Sequence, residues 1–185
     1  MKMNCPDFST EAERMRSVYA GSLRVARADL YAWWRPEVQW MIYRLQAVSA
    51  AMLCKAGIKD LSACHALDVG CGSGAWLRTL IEWGVQPKNA HGVDMLPDRI
   101  ELARAISGQG SDFRVTEGAL PYDAGSFDII TAHTVFSSIL APDLRMKLAA
   151  DMMRICRQPQ NDRAGGIIMV YDFRIKDPRN PDTIA

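Results

Sequence analysis

Neither sign of charge is in excess in this chain: 22 Lys and Arg face 21 Asp and Glu, for a formal net charge of +1. No electrostatic footprint therefore points to nucleic acid or to a membrane surface as the partner, and a small-molecule acceptor suits the composition better. Long apolar runs are missing as well. Nothing is long enough to span a bilayer, and charges are scattered through residues 1–16, where a secretory signal would need an apolar core. Paired cysteines are absent too. Cys5, Cys54, Cys64, Cys71 and Cys156 form no C-x-x-C pair and leave an odd one over, as expected of reduced, structural thiols in a cytoplasmic protein. The histidines, His65, His91 and His133, lie far apart without paired cysteine ligands, so no metal site is expected.

What is present is a chain of 185 residues, 49% of them apolar, which is enough for one domain with its own core. Its rhythm divides it. Residues 1–60 read as a helical N-terminal cap segment, with a helical pattern from Ser9 to about Gly57. The best part starts at Pro36, which needs no amide partner in a first helical turn. Val38, Met41, Ile42, Leu45, Val48 and Met52 follow the spacing of one helix face, which is predicted to be the buried one.

Residues 61–176 alternate short apolar runs with helical stretches, the signature of parallel β-α units. Strands are predicted at 66–69, 90–94, 113–116, 127–132 and 167–173, the last two as central strands covered on both faces. Helices are predicted at 75–83, from Pro97 to about residue 107, and from Pro142. The second of these should pack through Ile100, Leu102, Ala103 and Ile106, the third through Leu144, Leu148, Met152 and Ile155. Right-handed crossovers turn this order into an α/β fold: a Rossmann-like, doubly wound, mostly parallel sheet with helices on both faces. Residues 177–185 form a loop-like tail.

The chemistry lies in Asp68-Val69-Gly70-Cys71-Gly72-Ser73-Gly74, where a strand ends in a glycine-rich turn that feeds a helix. Glycines permit positive φ and clear side chains from a ligand's path to the backbone amides. Asp94 ends the next strand about 20 residues further on, the spacing at which a carboxylate accepts hydrogen bonds from both ribose hydroxyls. The pair points to an adenosine-type ligand. The loop also fits the loose dinucleotide pattern G-x-G-x-x-G/A, which would suit NAD(P) and an oxidoreductase. Asp68, however, would repel a pyrophosphate and welcome a methionine ammonium group, so charge favours S-adenosylmethionine.

Leu67 and that loop, Gly92-Val93-Asp94, Leu120-Pro121-Tyr122 and Ser126-Phe127-Asp128-Ile129-Ile130 together resemble class I S-adenosylmethionine-dependent methyltransferases of the type 11 group, over roughly residues 61–173. A closer likeness is to uncharacterised bacterial members that carry Trp33-Trp34, Thr134-Val135-Phe136-Ser137-Ser138-Ile139-Leu140 and Tyr171-Asp172-Phe173-Arg174. Some of those are associated with polysaccharide synthesis, which hints at a saccharide-type acceptor. The resemblance implies that Asp68, Gly70, Cys71, Gly72 and Gly74 meet the methionine portion, Asp94 the ribose, Met95 the adenine face, and Glu117 with Gly118 the adenine edge. It also implies a fold that continues beyond strand five with a helix and an antiparallel strand pair, at least about 35 more residues. Only twelve residues follow Phe173. The expected sheet therefore lacks its last antiparallel strand pair, and its apolar edge is left for a homodimer to cover.

Each assignment has a plainer alternative. Asp68 could cap the turn and Asp94 the helix at Pro97. His133, at the carboxyl edge of the sheet, could be a general base or a hydrogen-bonded structural residue. Tyr31, Trp33 and Trp34 could pack a helix or fold over the cofactor, with Tyr31 and Trp34 touching the acceptor. Asp172 and Arg174 could bind a polar acceptor or pair with each other. Three function classes stay open: a working methyltransferase, an NAD(P)-dependent oxidoreductase, and a truncated, inactive S-adenosylmethionine-binding module.

Overall fold

The computed structural model describes residues 8–20, 32–160, 164–174 and 182–184. Two helices come first, α1 (Phe8–Ala20) and α2 (Pro36–Lys55), followed by β1 (Ala66–Val69), α3 (Ala75–Glu82), β2 (Ala90–Asp94), α4 (Pro97–Ile106) and β3 (Asp112–Val115). The chain then forms β4 (Ile129–His133), α5 (Pro142–Ile155) and β5 (Ile167–Tyr171). Proline opens α2, α4 and α5, as expected where the first amides have no partner.

All five strands are parallel, in the order β3-β2-β1-β4-β5. Such a sheet reverses its direction of growth between β1 and β4, and ligands bind beyond the strand carboxyl ends at that point. Side-chain alternation divides the core between the two faces. Leu67, Val69, Ile130 and Ala132 meet Leu144, Leu148, Met152 and Ile155 of α5 on one face, where Met15 of α1 joins them. Ala66, Ile129 and Met169 meet Leu77 and Leu80 of α3, Ile100 and Ala103 of α4, and Leu53 of α2 on the other.

Asp128 fastens the end of the sheet remote from the strand carboxyl ends. Its carboxylate accepts a hydrogen bond from the His65 amide (2.8 Å) and pairs with Arg157. The Ser126-Phe127-Asp128 motif is thus structural.

Several expectations are corrected. The predicted inner face of α2 holds only in part: Val38 is buried and Leu45 packs against the core, but Ile42, Val48 and Met52 are exposed, and Ser49 and Leu53 are buried in their place. A helix that is apolar around most of its circumference gives periodicity no means of choosing the buried stripe. In α4 only Ile100 and Ala103 are buried, whereas Leu102 and Ile106 face outward. β4 starts at Ile129, because Phe127 makes an isolated bridge to Cys156 instead. β5 is an edge strand rather than a covered central one: among the described residues it pairs only with β4, and Val170, Tyr171 and Phe173 are exposed.

Candidate active site

The glycine turn after β1 is set by backbone geometry and close approach. Gly70, Gly72 and Gly74 all have positive φ, at 68°, 54° and 75°. At Gly70 a Cβ would lie 2.5 Å from a Val135 methyl, and at Gly74 2.9 Å from the Phe113 ring, so no side chain fits at either position. The turn is also laced to β2. The Cys71 amide donates to the Val93 carbonyl (3.0 Å) and the Gly72 amide to Asp94 Oδ2 (2.9 Å). Asp94 Oδ1 accepts from the Leu96 amide (2.9 Å) at the start of α4. Asp94 therefore organises both loops, and each of its oxygens keeps lone-pair capacity for a ligand hydroxyl. Burial pushes its carboxyl above the usual carboxylate range, against these backbone donors.

Asp68 lies behind the turn and is buried, with Thr131 Oγ1 donating to its Oδ1 at 2.7 Å. Burial pushes its carboxyl up to about 7, the Thr131 hydroxyl opposes the shift, and the nearby Asp94 charge adds to it.

A cavity of about 230 Å³ opens at the strand carboxyl ends. Among the predicted residues it brings together Gly70, Asp94, Met95, Glu117 and Gly118. Cys71, Gly72 and Gly74 shape the turn without lining the cavity, and Asp68 stands behind it. Sequence reasoning missed Arg99, Thr134, Ser138 and two residues of α1, Met15 and Tyr19. Arg99 had one legible signal, its place one turn into the helix that follows Asp94. Thr134 opened a motif of the family likeness, but nothing in sequence marked its backbone: it is β-branched yet sits at φ 57°, a strained conformation held by its amide donating to the Tyr171 carbonyl (2.7 Å).

α1 closes the cavity through polar contacts. Glu11 accepts from the Leu140 amide (2.8 Å) and pairs with Arg14, which donates to the Ser138 carbonyl (2.6 Å). The Tyr19 and Ser138 hydroxyls are 3.1 Å apart, and Arg16 pairs with Glu117 across the mouth. Burial raises the Glu11 pKa, but Arg14 and the Leu140 amide outweigh it and hold the carboxyl below its ordinary value. The tail returns here as well, with Asp182 3.5 Å from Arg14 and the Ile184 amide donating to the Ser137 carbonyl.

The predicted acceptor residues are not drawn together. Tyr31 lies outside the described residues. Trp33 and Trp34 stack edge to face ahead of α2 and are 76% and 62% exposed, away from the cavity wall. Asp172 accepts from the Ser137 amide (3.0 Å) and its neighbouring Phe173 amide (2.9 Å), fixing the turn after β4, while Arg174 is exposed. His133 packs between Trp76 (ring centroids 4.8 Å apart) and Tyr171 (6.2 Å), on the α3 side and not in the cavity wall. Burial lowers its pKa to about 4, so the ring is neutral at pH 7. Among the described residues no cluster of His, Cys, Asp and Glu could hold a metal ion, and no helix is long and apolar enough to cross a membrane.

The comparisons with known proteins agree with this geometry. Residues 66–159, just over half of the chain, match the family model described as a methyltransferase domain. A ubiquinone biosynthesis O-methyltransferase of Xanthomonas oryzae pv. oryzae is 28% identical over 116 residues, covering 60% of this chain and 44% of that protein. The match thus spans less than half of that relative's length. In fold, the chain is similar to a Galdieria sulphuraria protein provisionally assigned as a sarcosine dimethylglycine methyltransferase (TM-score 0.59, 19% identity, 73% of this chain and 47% of that one). It is also similar to an S-adenosylmethionine-dependent methyltransferase of Aquifex aeolicus (TM-score 0.52, 18% identity, 70% and 66%).

Proposed function

The chain belongs to the methyltransferase domain family, and from that premise we propose that it methylates a small-molecule acceptor, with S-adenosylmethionine as donor, by in-line displacement at the methyl carbon. One observation carries the reading: Asp94, Met95 and Gly70, which opens the left-handed glycine turn, line a single cavity on the carboxyl edge of the sheet. The residues fit the cofactor. Asp94 has acceptor capacity for ribose hydroxyls, Met95 and Leu96 offer apolar surface to adenine, and Gly70 presents backbone to the cavity wall. Glu117 and Gly118 line the stretch where the adenine edge would lie. Asp68 acts from behind the turn, and a cationic ammonium bound in front of it would favour its ionised form.

When bound, the cofactor supplies a sulfonium-activated methyl group: a bond forms from the acceptor nucleophile to carbon as the carbon–sulfur bond breaks, and the acceptor's proton passes to solvent. The chain's contribution is alignment and exclusion of water by α1, with no early proton removal required. His133 remains a candidate base only if the β4–α3 side opens, since its ring does not reach the cavity wall. The name of the Xanthomonas relative makes an oxygen nucleophile the first to test, and the likeness to polysaccharide-associated proteins makes a sugar hydroxyl the second. Arg174 and Trp34, exposed beyond β5 and before α2, are the remaining acceptor candidates.

The test is transfer of a radiolabelled methyl group to a panel of catechols, phenols and saccharides. Label in product is the expected result. Tight S-adenosylhomocysteine binding with no label in any acceptor would favour a cofactor-binding module instead.

A further inference from the structure

The outward face of α2 is apolar along its length. Successive helical residues turn by about 100°, so with Val38, Ser49 and Leu53 facing the domain, the opposite stripe is Trp40, Tyr43, Ala47, Ala51 and Cys54. All five are exposed, Trp40 by 64% and Tyr43 by 66%. Arg44 lies over the Trp40 ring, 5.3 Å from its centroid, and steadies the indole on this face. Glu37, Arg44 and Lys55 flank the stripe on one side and leave its centre uncharged. Helices apolar around most of their circumference are buried on more than one side. Among the described residues α2 is buried on one side.

The stripe is also ordered by size and charge. Its large aromatic residues occupy the N-terminal half and its small residues the C-terminal half, with Glu37 at one end and Lys55 at the other. Two copies opposed antiparallel about a two-fold axis at Ala47 would set Tyr43 level with the partner's Ala51 and Trp40 level with the partner's Cys54. Ala47 would then meet its own copy. The same axis brings Glu37, which also pairs with Arg35 of its own chain, within one helical turn of the partner's Lys55, on the same side of the seam. Bulk meets small residue and anion meets cation twice over, which is the self-complementarity a two-fold interface requires. We propose that the chain forms a two-fold dimer through antiparallel α2 helices with Ala47 at the axis. The inference does not depend on the methyl-transfer reading.

Sedimentation equilibrium of the full chain at micromolar concentration should give twice the 20.6 kDa chain mass. Ala51→Glu, which sets an anion against the partner's Tyr43, should halve that mass with circular dichroism unchanged. Ala47→Cys supplies the positive test. Under oxidation it should cross-link nearly all of the protein into dimers, while Glu82→Cys, exposed on α3, should not. A monomer, a dimer that survives Ala51→Glu as one built on the β5 edge would, or an Ala47→Cys that fails to cross-link overturns the proposal.

Discussion

α1 and α2 both precede the sheet, but they are held to it by different means. α2 is the longer and more apolar, yet it buries only Val38, Ser49 and Leu53 and gives no residue to the cavity. α1 is short and polar, and Met15 and Tyr19 enter the cavity wall while Glu11, Arg14 and Arg16 hold the loops that border it. Apolar spacing reports which stripes can be buried. Polar side chains that find partners far along the chain fix where a helix must lie, and that is how α1 rather than α2 comes to line the cavity.

The largest effect that would sharpen the contrast is a titration. The α3 side of the sheet holds buried Asp68 and half-buried His133, whose shifts have opposite consequences. His133 titrates near 4 in the fold against an ordinary 6.5, so the unfolded chain binds the extra proton between those values. Its contribution makes stability rise with pH from about 4 to 6.5, by up to about 3 kcal/mol. Asp68 titrates near 7 against 3.8, so the folded chain holds the extra proton and its contribution makes stability fall as pH rises through that window. Melting temperatures from pH 4 to 7 should therefore climb more steeply with pH than wild type in Asp68→Asn, and less steeply, or fall, in His133→Asn. Parallel profiles would remove both groups from the account.

Next in size is the α1 bridge. Glu11→Ala strands the Leu140 amide and Arg14 in a half-buried site and should cost about 2 kcal/mol in urea denaturation. Glu37→Ala, which removes only exposed ion pairs of α2, should cost far less, and a loss equal to that of Glu11→Ala would erase the distinction between the helices. Tyr19→Phe should cost about 1 kcal/mol and weaken S-adenosylhomocysteine several-fold, whereas Tyr43→Phe should do neither at the cavity. Smallest is Arg16→Ala, which opens an exposed pair across the mouth. It should change affinity less than about threefold, and less still at high salt.

Much of this was legible in sequence because it is local. The doubly wound sheet followed from alternating β-α units, and the glycine turn with Asp94 followed from φ requirements and spacing. What escaped depends on contacts between distant segments. The Thr134 strain arises from its pairing with Tyr171, the role of Asp172 from the Ser137 amide, and the Tyr19 and Arg16 contacts from loops more than 100 positions away. His133 lay at the correct strand end, but alternation along β4 turned it to the α3 face with Thr131, away from Ile130, Ala132 and the cavity. Trp33 and Trp34 were singled out for their chemistry and for a family likeness, and nothing in local spacing could show that they project from the α2 side.

The central claim is that the cavity under α1 holds the adenosine end of S-adenosylmethionine on Asp94. Calorimetric titration of the full chain with S-adenosylhomocysteine, with NADH as the competing ligand and Asp94→Ala as the control, tests it most directly. Saturable single-site binding of S-adenosylhomocysteine, weakened at least about tenfold by Asp94→Ala and absent for NADH, is the predicted result. Saturable NADH binding with no heat from S-adenosylhomocysteine would contradict it.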